Sequence, residues 1–221
     1  MSQKEAVFAY PAMLNLHGKE CVIIGGGSVA ARKLDTLCQA GAHVTVVAPQ
    51  FCPQLLQSAE NAPVILLSAC YSKELLQNAF LVIAATDSKE VNRQVTFDAP
   101  FLCNNVTEPE LSNFTVPSAI KCGSITVAIA TGGIPAYTRL LKAHLSHTLP
   151  AAFADFNDFL SGIRQEVKQI PSTPKQRTVF WRQTLTPEIL ELLQEGSITI
   201  AKEKILHAVN CFRAQSQNSA R

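Results

Sequence analysis

A short apolar run that leads directly into three glycines is the feature that most constrains this fold. Cys21-Val22-Ile23-Ile24 has the length and the β-branched content of a strand buried on both faces, and Gly25-Gly26-Gly27 follows at once. From Val29 to Ala40 apolar residues recur at helical spacing, and Gly41 is well placed to end the helix. A strand, a glycine turn and a helix in this order indicate the start of a βαβ unit.

Strand and helix patterns continue to alternate after this unit. The predicted strands cover 43–48, 64–67, 81–85 and 101–104, and the predicted helices cover 55–60, 73–78 and 90–99. Strands that alternate with helices favour a parallel sheet with helices packed on it. We therefore predict an α/β protein whose residues 1–112 form a Rossmann-like parallel sheet domain.

The pattern changes after residue 112. Residues 114–120 and 124–130 are two extended runs separated by Lys121-Cys122-Gly123, which is typical of a hairpin turn. A helix is predicted from Pro135 to about Leu149, and the chain from 150 to 221 is predicted to be helical, with breaks at Pro171, Pro174, Pro187 and Gly196. This predicts a small segment of two strands and a helix over 113–149 and a C-terminal helical domain over 150–221, with a polar, disordered tail after Ala214.

Composition argues against several classes of function. A net charge of +2, without a basic stripe interleaved with aromatic residues, argues against a nucleic-acid partner. No apolar run approaches the ~18 residues that a membrane span requires, and the N-terminus lacks the pattern of a signal peptide, so we expect a cytoplasmic protein. The seven cysteines form no C-x-x-C pair and are expected to be reduced thiols, mostly with structural roles.

The glycine turn has the spacing of a dinucleotide-binding motif, Gly25-x-Gly27-x-x-Ala30. Gly25 permits a tight turn, Gly27 lets the backbone approach a pyrophosphate, and Ala30 lets helix and strand pack closely. Free N–H groups at the helix start favour the pyrophosphate charge. The motif predicts a nicotinamide dinucleotide bound by Gly25, Gly26, Gly27, Ser28 and Val29; a glycine-rich turn without a ligand is the alternative.

Two further segments are candidates for cofactor contacts. The second strand ends at Ala48-Pro49, with neither a carboxylate for the ribose hydroxyls nor an arginine for a 2′-phosphate, so local chemistry does not decide between NAD and NADP. The predicted strand at 81–85 ends in small residues, and Ala85, Thr86 and Asp87 would line the crevice at the carboxyl ends of the strands. An ordinary capped helix start explains the latter segment equally well.

A set of motifs then recurs in order along the chain. The glycine turn continues as Ser28-Val29-Ala30-Ala31-Arg32-Lys33. Later segments are Val44 to Pro49, Ala84-Ala85-Thr86-Asp87 followed by Asn92, Asn113-Phe114-x-x-Pro117-Ser118, and Thr131-Gly132-Gly133 followed by Pro135-Ala136. Together these motifs, roughly between residues 12 and 185, resemble the siroheme synthase N-terminal family.

The resemblance implies a precorrin-2 dehydrogenase. Such an enzyme uses NAD to oxidise the tetrapyrrole precorrin-2 to sirohydrochlorin in siroheme biosynthesis, as a homodimer joined through a central segment. Some family members also insert Fe2+ into the product, so iron insertion stays open. A dinucleotide- or tetrapyrrole-binding protein that has lost catalysis is the alternative. A reductase of small carbonyl compounds is disfavoured, because neither a Tyr-x-x-x-Lys pair nor a zinc-ligand set is visible.

The resemblance also places the family's acid/base aspartate, which follows a strand ending in Asn-Val-Val-Asp, at Thr107. The aligned stretch here is Asn104-Asn105-Val106-Thr107-Glu108. A threonine hydroxyl does not serve as a general base near neutral pH as a carboxylate does. Glu108 is the predicted substitute, and a solvated turn carboxylate is its alternative. Water is another acceptor for the proton, and Asn104 and Asn105 are predicted to contact substrate.

Further substrate contacts are predicted around Thr131-Gly132-Gly133, which matches a segment of the family's active-site cleft. Thr131 either contacts substrate, with a catalytic role, or shapes the turn before the next helix. Arg139 either meets a carboxylate of the substrate or is a solvated surface residue. His144 and His147 share a helical spacing but have no clear third ligand, so no fixed metal site is predicted.

Overall fold

The structure of the protein, a computed structural model, describes residues 10–60 and 62–219 and divides into two compact units between Val116 and Pro117. We call them the N-terminal and C-terminal units. The strands of the N-terminal unit are β1 (Glu20–Ile24), β2 (His43–Ala48), β3 (Val64–Ser68), β4 (Leu81–Ala84) and β5 (Leu102–Asn105). Its helices are α1 (Ser28–Gln39), α2 (Pro53–Glu60) and α3 (Lys89–Asp98), with 3-10 turns at Lys73–Leu76 and Pro109–Leu111.

The five strands form one parallel sheet in the order β3-β2-β1-β4-β5. The strand order reverses between β1 and β4, and a crevice at such a switch point is where open α/β sheets bind ligands. All the carboxyl ends of the strands lie along one edge, which we call the carboxyl edge. The predicted Rossmann-like α/β fold is confirmed.

The central strand β1 is buried on both faces, as its uninterrupted apolar sequence predicts. Cys21 and Ile23 belong to a core cluster that includes α1, whereas Val22 and Ile24 belong to a second cluster that includes residues of β4 and α3. Because side chains alternate along a strand, each face of β1 anchors one layer of helices. This packing fixes where the turn after β1 emerges at the carboxyl edge.

The C-terminal unit begins with an antiparallel hairpin and continues as helices. Strands β6 (Ser118–Cys122) and β7 (Ile125–Ile129) are followed by α4 (Pro135–Ser146), α5 (Ala151–Gln169), α6 (Pro174–Thr184), α7 (Pro187–Gln194) and α8 (Ile198–Ser219). A core that includes Phe156, Ile163, Phe180 and Ile205 joins α5 to α8. The predicted helix breaks are confirmed. The predicted division of this part at residue 149 stays a prediction.

Several predicted elements differ from the structure, and the helix predicted from Pro135 to about Leu149 ends at Ser146. Residues 114–117 are not part of β6, because Pro117 has no N–H to donate and the ladder begins at Ser118. The helix predicted over 73–78 is a single 3-10 turn at Lys73–Leu76. Disorder after Ala214 is wrong for residues up to Ser219, since α8 continues to that residue and buries Ser216. Among the described helices, none combines the length and apolarity needed to cross a membrane.

Candidate active site

The first two glycines of the turn after β1 are required by the packing of the chain itself. Gly25 has a φ of +132°, its N–H donates to the Val47 carbonyl at 2.9 Å, and an added Cβ would lie 2.2 Å from the Ala85 carbonyl oxygen. A Cβ on Gly26 would lie 1.9 Å from the Gln50 carbonyl oxygen. The segments after β2 and β4 therefore press against the turn from two sides.

Gly27 differs from its two neighbours because the space beside it is open. No described atom would lie within 4 Å of an added Cβ, and the backbone φ of −87° is accessible to any residue. Gly27 is the N-cap of α1, so the N–H groups of Ser28 and Val29 have no acceptor within the helix. Backbone donors beside the open space at Gly27 fit the pyrophosphate of a dinucleotide.

The loop after β2 closes over the turn with uncharged groups. Ala48 is buried, Pro49 and Gln50 are exposed, and the Cys52 N–H donates to the Gly26 carbonyl at 2.8 Å. Neither this loop nor the first turn of α1 carries an acidic residue. The structure thus places Ala48 and Pro49 beside the glycine turn without deciding between NAD and NADP.

The loop after β4 is held by a buried amide on α3. Asn92 is fully buried, and its Oδ1 accepts from the Thr86 N–H at 3.0 Å while its Nδ2 donates to the Thr86 carbonyl at 2.9 Å. Ser88 caps α3 by accepting from the Val91 N–H at 3.3 Å, so the capped helix start is present. Asp87 is exposed beside it. The predicted cofactor contacts of Ala85, Thr86 and Asp87 stay predictions.

The loop after β5 is held by a second buried amide. The Asn105 Oδ1 accepts from the N–H groups of Thr107 and Glu108, each at 3.0 Å, and from the Thr107 hydroxyl at 2.9 Å. The Asn92 Nδ2 donates to the same hydroxyl at 3.1 Å. The one proton of Thr107 is therefore already donated, and one of its lone pairs is already occupied.

Glu108 is paired with an arginine that the sequence analysis did not single out. The Arg93 Nε and Nη2 donate to the two carboxylate oxygens of Glu108 at 2.7 and 2.5 Å. These bonds, with the charge of Arg93, lower the pKa of Glu108 below its ordinary value, and the same pairing raises the pKa of Arg93. Glu108 is therefore held as a carboxylate and is a weaker base than a free one.

Asn104, next to Asn105 on β5, faces a different partner. Its side chain is nearly buried and its Nδ2 donates to the Phe114 carbonyl at 3.3 Å. Asn113 acts nearby in the same way, donating to the Phe101 carbonyl at 2.6 Å and accepting from the Cys103 N–H at 2.8 Å. These bonds fasten residues 101–114 to one another. The substrate contacts predicted for Asn104 and Asn105 stay predictions.

The remaining predicted residues lie in the C-terminal unit, where the structure brings three of them into one turn. The Thr131 and Thr138 hydroxyl oxygens are 2.5 Å apart, and Thr131 also donates to the Ile134 carbonyl at 3.1 Å. Gly132 and Gly133 have positive φ angles, with no described atom within 4 Å of an added Cβ. Thr131 thus shapes the turn before α4, and its part in a reaction stays a prediction.

Arg139 lies on the exposed surface of α4, and His144 and His147 are exposed near its end. Within residues 10–60 and 62–219, no three His, Cys, Asp or Glu side chains are grouped as metal ligands. All seven cysteines are free thiols, and burial raises the pKa of Cys21 to about 11, as expected of a structural thiol.

The chain is similar in sequence to an NAD(P)-binding family and to siroheme synthases. Residues 12–118 match the model of a family described as "Putative NAD(P)-binding". The siroheme synthase of Nitrosospira multiformis is 38% identical over 200 residues, which cover 87% of this chain and 42% of that protein. The siroheme synthase of Methylobacillus flagellatus is 36% identical over 196 residues, with the same two coverages. The chain thus spans about 42% of the length of these relatives.

A solved structure described as "SirC, precorrin-2 dehydrogenase" has a similar fold. It superposes with a TM-score of 0.73 at 24% identity and covers 89% of this chain and all of the other. At this identity the likeness concerns the fold. The fold similarity and the sequence similarity both extend beyond residue 118 into the C-terminal unit.

Proposed function

We propose that this chain, which is similar to siroheme synthases over 87% of its length, belongs to the siroheme synthase N-terminal family and oxidises precorrin-2 to sirohydrochlorin with NAD as the hydride acceptor. The observation that carries the proposal is the turn at Gly25–Gly27, whose third glycine opens onto free space at the start of α1. The substrate is proposed from the similarity to siroheme synthases, which extends well beyond the glycine turn.

The residues that would hold NAD are those of the carboxyl edge. Gly27 gives the pyrophosphate close access to the backbone, and Ser28 and Val29 supply N–H donors. Ala48, Pro49, Ala85 and Thr86 border the turn on its two sides. When bound, NAD supplies the acceptor for two electrons and one proton, transferred together as a hydride.

The reaction balances without a strong base from the described loops. Precorrin-2 loses a hydride and a proton, NAD+ becomes NADH, and the proton is released to solvent. Glu108, held as a carboxylate by Arg93, takes up a proton less readily than a free carboxylate does. We propose water as the proton acceptor, since correct placement of the two reactants supplies much of the rate.

Iron insertion into sirohydrochlorin is proposed to be at most a minor activity of this chain. Insertion displaces two pyrrole protons, which favours a free basic group beside the ring. The two residues of the loop after β5 that the sequence predicts as proton acceptors are Glu108, which is paired with Arg93, and Thr107, whose hydroxyl donates its proton to Asn105. Both are poor proton acceptors as they stand.

We also propose that the protein is a homodimer joined through β6, β7 and α4. A two-stranded sheet is marginally stable alone, and no described side chain of α4 is buried. Ile134, Tyr137 and Leu140 are 57%, 49% and 66% exposed. A second copy of the same hairpin and helix would cover these apolar side chains, and Leu140→Lys is expected to shift the protein toward monomer in light-scattering measurements.

Anaerobic incubation with precorrin-2 and NAD+ tests the proposed function. The expected result is the appearance of NADH absorbance together with the sirohydrochlorin spectrum, and little further change when Fe2+ is added. Binding of NAD+ and precorrin-2 without turnover would instead support the alternative of a binding protein that has lost catalysis. Rapid, enzyme-dependent appearance of the iron complex would contradict the proposed minor role of iron insertion.

A further inference from the structure

Two buried asparagine side chains join the loops after β4 and β5, and the direction of every bond between them is set by the backbone. The Thr86 N–H can only donate and the Thr86 carbonyl can only accept, which fixes the orientation of the Asn92 amide. The Asn105 Oδ1 accepts from two backbone N–H groups, which fixes that amide as well. The hydroxyl of Thr107 lies between the two, accepting from Asn92 and donating to Asn105.

The same connection reaches the glycine turn. Ala85, next to Thr86, is the residue whose carbonyl would collide with a Cβ on Gly25. A continuous path of direct contacts therefore runs from the turn, through Ala85 and Thr86, to Asn92 and Thr107. Both amides are fully buried. The Asn105 Nδ2 also donates to the Thr96 hydroxyl, which in turn donates to the Asn92 carbonyl at 2.7 Å.

We propose that Thr107 is a positioning residue. Its hydroxyl, bridged to Asn92, fixes the loop Val106–Glu108 relative to the glycine turn and hence relative to a dinucleotide bound there. The role rests on the proposed function, because it assigns the loop after β5 to the substrate side of the NAD site. It differs from acid/base catalysis, since the hydroxyl acts through the two amides and exchanges no proton with substrate.

The hydrogen bonds that join the Thr107 hydroxyl to Asn92 and Asn105, which we call the bridge, can be removed with little change in the shape of the side chain. Thr107→Val replaces the hydroxyl by a methyl group, leaves Asn92 its bonds to Thr86, and leaves Asn105 the two backbone donors. Thr107→Ser keeps the hydroxyl and is the matched control. We expect kcat for precorrin-2 oxidation to fall roughly tenfold in Thr107→Val and to change less than about twofold in Thr107→Ser. The affinity for NAD+ should stay within about twofold in both.

Hydrogen exchange provides a measure of the bridge that does not depend on turnover. In the protein without NAD+, amides of residues 106–108 should exchange faster in Thr107→Val than in Thr107→Ser and the wild type. Added NAD+ should slow exchange at 106–108 in the wild type and Thr107→Ser, but much less in Thr107→Val. Equal exchange and equal kcat in the Val and Ser variants would overturn the positioning role.

The two proposals fail in different ways. Absence of NAD+ binding or of turnover by the wild type would contradict the proposed function, while exchange in the unliganded variants would still decide whether the bridge holds the loop. Thr107→Val could instead lower NAD+ affinity, kcat and melting temperature together, with all three quantities restored in Thr107→Ser. That result would assign Thr107 to the stability of the N-terminal unit and overturn the specific positioning role.

Discussion

Two glycine turns in this molecule look alike in sequence and differ in what surrounds them. Gly25 and Gly26 are pressed by the backbone of other segments, so an added Cβ would lie about 2 Å from a carbonyl oxygen at each position. Gly132 and Gly133 in the C-terminal unit have positive φ angles and no described atom near an added Cβ. The first turn needs glycine for space, and at Gly25 also for a φ of +132°, whereas the second turn needs glycine for backbone conformation alone. At Gly27 neither space nor backbone conformation requires a glycine, so close approach of a bound ligand is the reason that the structure offers for a glycine there.

The largest effect is expected where backbone presses on the turn. Gly26→Val would drive a side chain into the Gln50 carbonyl and toward Ala48, which neighbouring backbone cannot easily relieve. We expect a loss of about 3 kcal/mol or more in the free energy of unfolding of the N-terminal unit. Chemical denaturation followed by circular dichroism, with hydrogen exchange to separate the two units, measures it. A stability equal to that of the wild type would contradict the packing of this turn.

Gly27→Val is expected to separate folding from binding. The added side chain meets open space and an ordinary backbone conformation, so the free energy of unfolding should change by less than about 1 kcal/mol. The same side chain occupies the approach to the α1 N-terminus, and affinity for NADH should fall roughly tenfold to a hundredfold, about 1.4 to 2.7 kcal/mol. Fluorescence titration measures the affinity, with Gly132→Ala, in the second turn, as the control. Undiminished affinity would remove Gly27 from the site.

A smaller effect is expected in the second turn. Gly132→Ala and Gly133→Ala each place a Cβ on a residue with positive φ, at a cost of about 1 kcal/mol, with space to accommodate the methyl group. NADH affinity should not change. The KM for precorrin-2 decides whether this turn also contacts substrate, as the sequence predicts, and thermal unfolding measures the strain. A loss of NADH affinity would show that the two turns do not differ as described.

The smallest effect concerns pH. Pairing with Arg93 lowers the pKa of Glu108 in the folded protein, so the pair contributes stability above the unfolded pKa of about 4.3 and loses it as pH falls through the lower folded pKa. Wild type should therefore lose slightly more stability than Glu108→Gln on acidification over this range. Thermal melts of both proteins in a pH series measure the difference. Parallel pH profiles for the two proteins would show that the pair contributes no stability.

The sheet and the glycine turn could be predicted because their signals are local. Strand β2 lies at 43–48 as predicted, since a β-branched run after Gly41 and before Pro49 leaves few other conformations. The turn was predicted because its glycines lie directly between a strand and a helix. By contrast, the 3-10 turn at Lys73–Leu76 has the composition of an ordinary helix, and its length is decided by the surrounding packing.

The polar contacts of the site could not be predicted in the same way. Asn92 and Thr107 are 15 positions apart, as are Arg93 and Glu108, and no sequence periodicity joins α3 to the loop after β5. The parallel pairing of β4 with β5 brings them together, and that register is a tertiary property. The sequence identifies Glu108 as a carboxylate, but its basicity depends on its pairing with Arg93, which is visible only in the fold.

The most direct measurement of the central claim is a single-turnover reaction of precorrin-2 with NAD+ under anaerobic conditions, comparing wild type with Gly27→Val. We predict that wild type forms one NADH for each sirohydrochlorin, and that the folded variant forms much less of both in the same time at an NAD+ concentration near the wild-type Kd. Sirohydrochlorin formed without NADH, or equal yields of NADH from both proteins, would contradict the assignment of the glycine turn as the site of the hydride acceptor.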